Sequence, residues 1–235
     1  MKNWKTLDII SGLFISVLLV SNIVSTKLVT FYKFTFDGGT FLFPLSYIFG
    51  DILTEVYGYS SARRVIWIGF ISALLMSVNI YIVGKIPPSP EWQFQDYYDV
   101  ILGITPRIVL ASLIGYLVGN FSNSFILAKM KLFTNGKFLF LRTISSTVVG
   151  EFLDSIFFVL IAFYGMYRGR VLIAIALSNY IFKTLVEIFF TPITYTIVNF
   201  LKKVEKVDWF DRKTNFNPFL LKNNSLPSNG EVSES

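Results

Sequence analysis

The chain has 235 residues, 53% hydrophobic and 15% charged, with a formal net charge of +6 and a mean hydropathy of +0.58. An average soluble domain is about one quarter charged, so this composition excludes an ordinary soluble domain and points to a bilayer. With no His and no Cys, the chain cannot build His- or thiolate-ligated zinc, haem or iron–sulfur sites, Ser-His-Asp or Cys-His nucleophiles, or a disulfide.

Six apolar runs are long enough to cross roughly 30 Å of hydrocarbon as helices. They lie near Leu7 to Val29, Phe41 to Tyr59, Val65 to Val83, Ile108 to Met130, Ile144 to Gly165 and Val171 to Leu201. The predicted class is an all-α membrane protein with six transmembrane helices in one domain, residues 1–201. Lys2 and Lys5 precede the first run, but no A-x-A-like cleavage site follows and the apolar character continues past Asn22, which predicts a retained helix rather than a signal peptide. Pro44 opens the second run either as a tolerated first-turn proline or as a break lining a cavity. Between the third and fourth runs, Pro87, Pro88 and Pro90 lead into Trp92, Phe94, Tyr97 and Tyr98. That segment suits the membrane interface, or a lid over an external mouth. The sixth run, about 31 residues long and containing Pro192, must tilt, kink or protrude. From Lys202 to Ser235 the chain reads as a polar, disordered cytoplasmic tail.

The basic residues orient these runs. With the N-terminus inside, fourteen fall on the cytoplasmic side: Lys2, Lys5, Arg63, Arg64, Lys129, Lys131, Lys137, Arg142, Lys202, Lys203, Lys206, Arg212, Lys213 and Lys222. Six fall outside, Lys27, Lys33, Lys85, Arg107, Arg168 and Arg170, and Lys183 lies within a span. The asymmetry predicts both termini in the cytoplasm. It also explains the positive net charge by topology, so no direct nucleic-acid partner is needed.

A charge at mid-bilayer costs about 2.5 to 3.5 kcal/mol on insertion scales. Here such charges come in pairs at helical spacing: Asp51 and Glu55, Glu151 and Asp154, Lys183 and Glu187. Lys183 and Glu187 either neutralise each other across one turn or contact a ligand. Asp51 and Glu55 are candidates for ligand or gate, with Arg63 and Arg64 two turns on as alternative partners. Glu151 and Asp154 lack a basic neighbour on their own helix and need Lys183, a proton or a substrate donor. Asn22, Asn120, Ser145, Ser146, Thr147 and Asn179 are polar positions in or near spans, suited to interhelical hydrogen bonds or to the cavity. The acids fall on the middle helix of each half of the chain, as a 3+3 inverted repeat would leave them.

The run PLSYIFGDILTEVYGYSSARRVIWIGF, Pro44 to Phe70, resembles the queuosine precursor transporter family of integral membrane proteins, grouped with vitamin uptake transporters. Further matches follow in order: Asn22 with Lys27, Gly38 and Gly39 before Phe43 and Pro44, TPRIVLASL from Thr105 to Leu113, Arg142 with Ser145 and Ser146, EFLDS from Glu151 to Ser155, and KTLVEIFFTPITY from Lys183 to Tyr195. The family more often carries Gln at the positions of Asn120 and Glu151, which makes Asp154 the firmer site residue. The resemblance implies uptake of 7-cyano-7-deazaguanine, 7-aminomethyl-7-deazaguanine or a related base, salvaged for tRNA modification.

Such a purine-like cargo presents N–H donors that a carboxylate accepts as a fork, and an O6 acceptor for Lys, Arg or Asn. The candidate substrate-binding residues are Asn22, Lys27, Asp51, Glu55, Glu151, Asp154, Asn179, Lys183 and Glu187; the structural or gating candidates are Pro44, Arg63, Arg107, Arg142 and Pro192. A cationic aminomethyl group would favour an extra carboxylate, whereas a nitrile would not. The reading is a transporter of the inner membrane working by alternating access, not an enzyme, with neither cofactor nor metal. A coupling proton and a homo-oligomeric state are both compatible with this reading. One alternative is the substrate-binding subunit of an energy-coupling-factor importer, which needs partner subunits; another, of a different class, is a membrane enzyme using the paired carboxylates.

Overall fold

The computed structural model describes residues 4–24, 27–31, 34–103, 106–165, 169–212 and 214–220. Helix α1, Leu7–Val24, buries Ile10, Phe14, Leu18 and Ser21 as one stripe and exposes Ile9, Leu13, Val20 and Ile23. Two short antiparallel strands follow, β1 at Leu28–Phe31 and β2 at Phe34–Asp37, then a 3-10 turn, Gly38–Phe41. Gly38 has to be glycine: a Cβ there would lie 2.5 Å from the carbonyl oxygen of Val24 at the end of α1.

Helix α2, Phe43–Tyr57, carries Pro44 in its first turn, where a missing N–H leaves no helical bond unmade. The proline therefore begins this helix and does not break it. Gly58, at φ +83, turns the chain into α3, Tyr59–Lys85. The proline-rich segment forms a short helix, α4, Gln95–Ile101, seated on the end of α3 through Gln95 Nε2 to Gly84 O and the Tyr98 hydroxyl to Ile80 O. Its Trp92, Phe94 and Tyr97 are exposed, as an interfacial segment requires. Three long helices complete the fold: α5, Pro106–Phe133; α6, Leu139–Phe163; and α7, Gly169–Glu205.

Five helices, all but α2 and α4, are long and apolar enough to cross a membrane. Helix α2 has 15 residues, about 22 Å of helix. It occupies the centre, packed against α1, α3, α5 and α7, while α6 packs on α5 and α7. Nearly every side chain of α2 is buried, so protein, not lipid, surrounds its two acids. The outer faces carry Ile71, Leu75, Ile82, Leu185, Phe189 and Phe200 exposed. An apolar surface of that extent is a lipid-facing surface.

Helices α5 and α6 approach most closely. A Cβ at Gly115 would lie 2.7 Å from Asp154 Oδ1, one at Gly119 2.1 Å from the Tyr47 hydroxyl, and one at Gly150 3.0 Å from the Gly119 carbonyl oxygen. Glycines one turn apart let two backbones meet, as in membrane helix pairs generally. Pro192 sits inside α7, which at 37 residues is about 56 Å long and so extends well beyond the hydrocarbon thickness.

Of the segment expected as a tail, residues 202–212 and 214–220 are described. Helix α7 continues through Glu205, whose carboxylate accepts the backbone N–H groups of Lys5 and Thr6 at 3.0 and 2.8 Å and so caps the start of α1. Residues 207–212 and 214–220 then fold back over the α2–α3 turn. Trp209, 6% exposed, covers Gly58, where a Cβ would stand 2.3 Å from the indole. Arg63 donates to the carbonyls of Asn215 and Asn217, both at 2.7 Å, and Trp67 Nε1 to Pro218 O at 2.7 Å. The segment reads as polar, but a few large side chains and backbone carbonyls anchor it. Residues 221–235 lie outside the described residues.

Candidate functional site

Along α2, Tyr47, Asp51 and Glu55 recur every fourth residue and so line one face. Each meets a different set of partners, which divides the interior into three levels.

At the first level, Lys183 of α7 reaches across to α6, where its ammonium hydrogen-bonds Asp154 Oδ2 and lies 3.7 Å from Glu151 Oε2. It also stands over the Phe43 ring, 4.6 Å from the centroid. Tyr47 fits the notch between Gly119 and Gly150, its hydroxyl 3.5 Å from Gly150 O. Lys183 is thus the missing basic partner of the α6 acids. Its salt bridges among the described residues run to α6, to Asp154 and Glu151.

At the second level, Asn123 Nδ2 donates to Asp51 Oδ1 at 2.6 Å. Glu187 accepts from the Thr147 hydroxyl and lies within electrostatic range of Asp51 and Glu151. Acids from α2, α6 and α7 therefore converge. Several acceptors here have no hydrogen-bond partner among the described residues: Glu151 Oε1 and Oε2, Glu187 Oε2, Asn120 Oδ1 and Asn123 Oδ1. All four residues are buried. A buried acceptor without a donor is costly, which makes this the part of the interior most suited to a donor-rich ligand.

At the third level, Glu55, fully buried, is enclosed by three cations: Arg142 Nη1 at 3.0 Å, Lys202 Nζ at 2.6 Å and Lys131 Nζ at 3.2 Å. Asp208, from the returning segment, joins Lys131 at 2.6 Å and Lys202 at 2.8 Å. Burial works to raise the Asp208 pKa, but the two lysines outweigh it and hold the carboxyl below its usual value. Asp211 behaves oppositely: burial pushes it up, partly offset by hydrogen bonds from the Tyr59 N–H and the Thr214 hydroxyl. The cluster ties α2, α5, α6, α7 and the returning segment together at the end where α1 begins and α7 stops.

The other expected residues are placed as follows. Arg63 binds the returning segment and neither Asp51 nor Glu55; Arg142 belongs to the third level, where it also donates to Gly136 O. Asn22 turns its amide back to Leu18 O and accepts from Ser112 at 3.4 Å, away from the acids. Lys27 is exposed, beside the hairpin. Asn179, half-buried, lies one turn before Lys183 on α7. The side chain of Arg107 lies outside the described residues. Sequence reasoning missed Tyr47, Asn123, Lys131, Lys202 and Asp208 as partners of the acids. Asn123, Leu127 and Lys131 share one face of α5 at four-residue spacing, as Asp51 and Glu55 share one face of α2, and that was the available signal.

The sequence profile of a family described as "Putative vitamin uptake transporter" matches residues 37–197. That stretch runs from the end of β2 through Pro192 and contains all three intramembrane charge pairs. The chain is 27% identical over 206 residues to the queuosine precursor transporter of Escherichia coli K12, covering 86% of this chain and 90% of that one. It is 26% identical over 187 residues to the probable queuosine precursor transporter of Bacillus subtilis 168, covering 79% and 82%. A Haemophilus influenzae protein of the latter name is 23% identical over 179 residues, covering 74% of each chain. No solved structure matches significantly. The match over more than half of the chain, the apolar helices and the buried polar interior lead to one conclusion: this chain belongs to the vitamin uptake transporter family and is a multi-pass protein of the cytoplasmic membrane.

Proposed function

We propose that the chain imports a 7-deazaguanine precursor of queuosine by alternating access, with Asp51, Glu151, Asp154, Lys183 and Glu187 lining the binding site. The observation that carries this reading is the convergence of carboxylates from α2, α6 and α7 with buried acceptor atoms that lack donors. A guanine-like edge supplies adjacent N–H donors, and Lys183 suits its O6. The names of the E. coli and B. subtilis relatives support the same cargo. Glu55 passes from ligand to gate: its three cations leave it little capacity for a substrate, and its cluster closes one end of the bundle.

Six crossings with both termini in the cytoplasm fit this arrangement. The start of α1 abuts the end of α7, which supports an even number of crossings, with α2 as the sixth beside the five long helices. The third level then faces the cytoplasm. Closure there and opening at the opposite end is one half of an alternating-access cycle.

The test is the queuosine content of tRNA in bacteria that neither make nor import the precursor, expressing this chain and fed a low concentration of either base. Restored queuosine supports import. Absence of queuosine despite abundant, inserted protein rejects the cargo, unless supplying coupling subunits restores it, the outcome that marks an importer subunit. Collapse of uptake by a protonophore would identify proton symport.

A further inference from the structure

Resting on the transport reading above, we infer that the site selects among 7-deazaguanine bases by charge, favouring one with a protonated aminomethyl group over its neutral nitrile counterpart. Asp51, Glu151, Asp154 and Glu187 share the first two levels with a single cation among the described residues, Lys183. Lys183 is held by Asp154, with Glu151 3.7 Å away. The cations that the surrounding helices bring inward, Lys131, Arg142 and Lys202, gather on Glu55 and Asp208. Carboxyl groups therefore outnumber cations where the ligand would sit.

The unpartnered atoms point the same way. Glu151 Oε1 and Glu187 Oε2 are acceptors, and so are the side-chain oxygens of Asn120 and Asn123. One carboxylate is enough for the N–H fork of a guanine-like ring. A second carboxylate is then left facing the 7-substituent. A nitrile nitrogen accepts and cannot donate, so it would add another unpaired acceptor to a buried set, which is unfavourable. An ammonium group donates three hydrogen bonds and compensates one carboxylate. Glu187 is the suited partner: its Oε1 is held by Thr147 and its Oε2 remains without a donor.

The experiment is equilibrium binding to the purified full chain in detergent at pH 7, which reads recognition whether or not transport needs partner subunits. The probes are the 7-aminomethyl, 7-cyano and 7-hydroxymethyl derivatives of 7-deazaguanine, the last a neutral donor of similar size to the first. The expected result is at least tenfold tighter binding of the aminomethyl base than of either neutral one. Glu187→Gln, which preserves an acceptor for Thr147, should reduce that ratio below threefold; Glu151→Gln serves as the second variant if Glu187→Gln does not fold. Equal binding of all three bases, or tighter binding of the nitrile, overturns the charge selectivity and leaves the transport reading standing. Binding of none of them overturns the transport reading and the selectivity with it.

Discussion

Lys183 and Asp154, 29 residues apart, form a largely buried ion pair that joins α7 to α6. Removing one partner of such a pair leaves an uncompensated buried charge, at a cost of about 3 to 5 kcal/mol. Lys183→Met should therefore lower thermal stability in detergent and abolish uptake. Lys183→Met with Asp154→Asn should recover most of the stability while uptake stays below a tenth of the parent. Recovery of uptake in the double variant would mean that the pair is structural only.

Glu55→Gln removes the carboxylate on which Lys131, Arg142 and Lys202 converge. Lys131 and Lys202 would then share Asp208, and the buried Arg142 would keep the Gly136 carbonyl. The expected loss is again several kcal/mol, about 3 or more, seen as a fall in melting temperature of the purified protein. A variant as stable as the parent would show that the cluster does not close the bundle.

The Asp208 contribution has a definite sign with pH. Its folded-state pKa lies below the usual 3.8, so the stabilisation is fully present above that value and is lost as pH falls through the lower folded-state value. The stability difference between the parent and Asp208→Asn should therefore be constant from neutral pH down to about pH 5 and shrink on further acidification. A difference that grows on acidification would contradict the ion-paired geometry.

Trp209→Ala should free the returning segment. The indole is 6% exposed and packs on Gly58, and Trp→Ala in a core costs about 3 to 5 kcal/mol. Limited proteolysis should then cut within 207–220, which the parent resists. Gly58→Ala should act in the same direction, because the position needs a positive φ and has no room for a methyl group.

Gly119→Ala would place a methyl group 2.1 Å from the Tyr47 hydroxyl and 2.9 Å from Asp154 Cβ. Helices α5 and α6 must separate, which shifts Asp154 from Lys183. Uptake should fall at least tenfold with normal membrane insertion; unchanged uptake would show that the close approach is not needed to position the site.

Composition and hydropathy determined the class, because about 30 Å of hydrocarbon demands long apolar helices and tolerates few charges. The period of 3.6 residues determined which side chains share a face: Asp51 with Glu55, Glu151 with Asp154, Lys183 with Glu187. That period says nothing about what the face meets. Lys183 could turn to Glu187 on its own helix or to Asp154 on α6, and only the close α5–α6–α7 packing decides for Asp154. Asp51 and Glu55, one turn apart, part company for the same reason: one meets an amide from α5, the other three cations from α5, α6 and α7. Residues 207–220 looked solvent-bound from their polarity. Their place was settled by long-range contacts of Trp209, Asp208 and the backbone carbonyls that Arg63 and Trp67 seek, because a buried donor must find an acceptor wherever the chain can bring one.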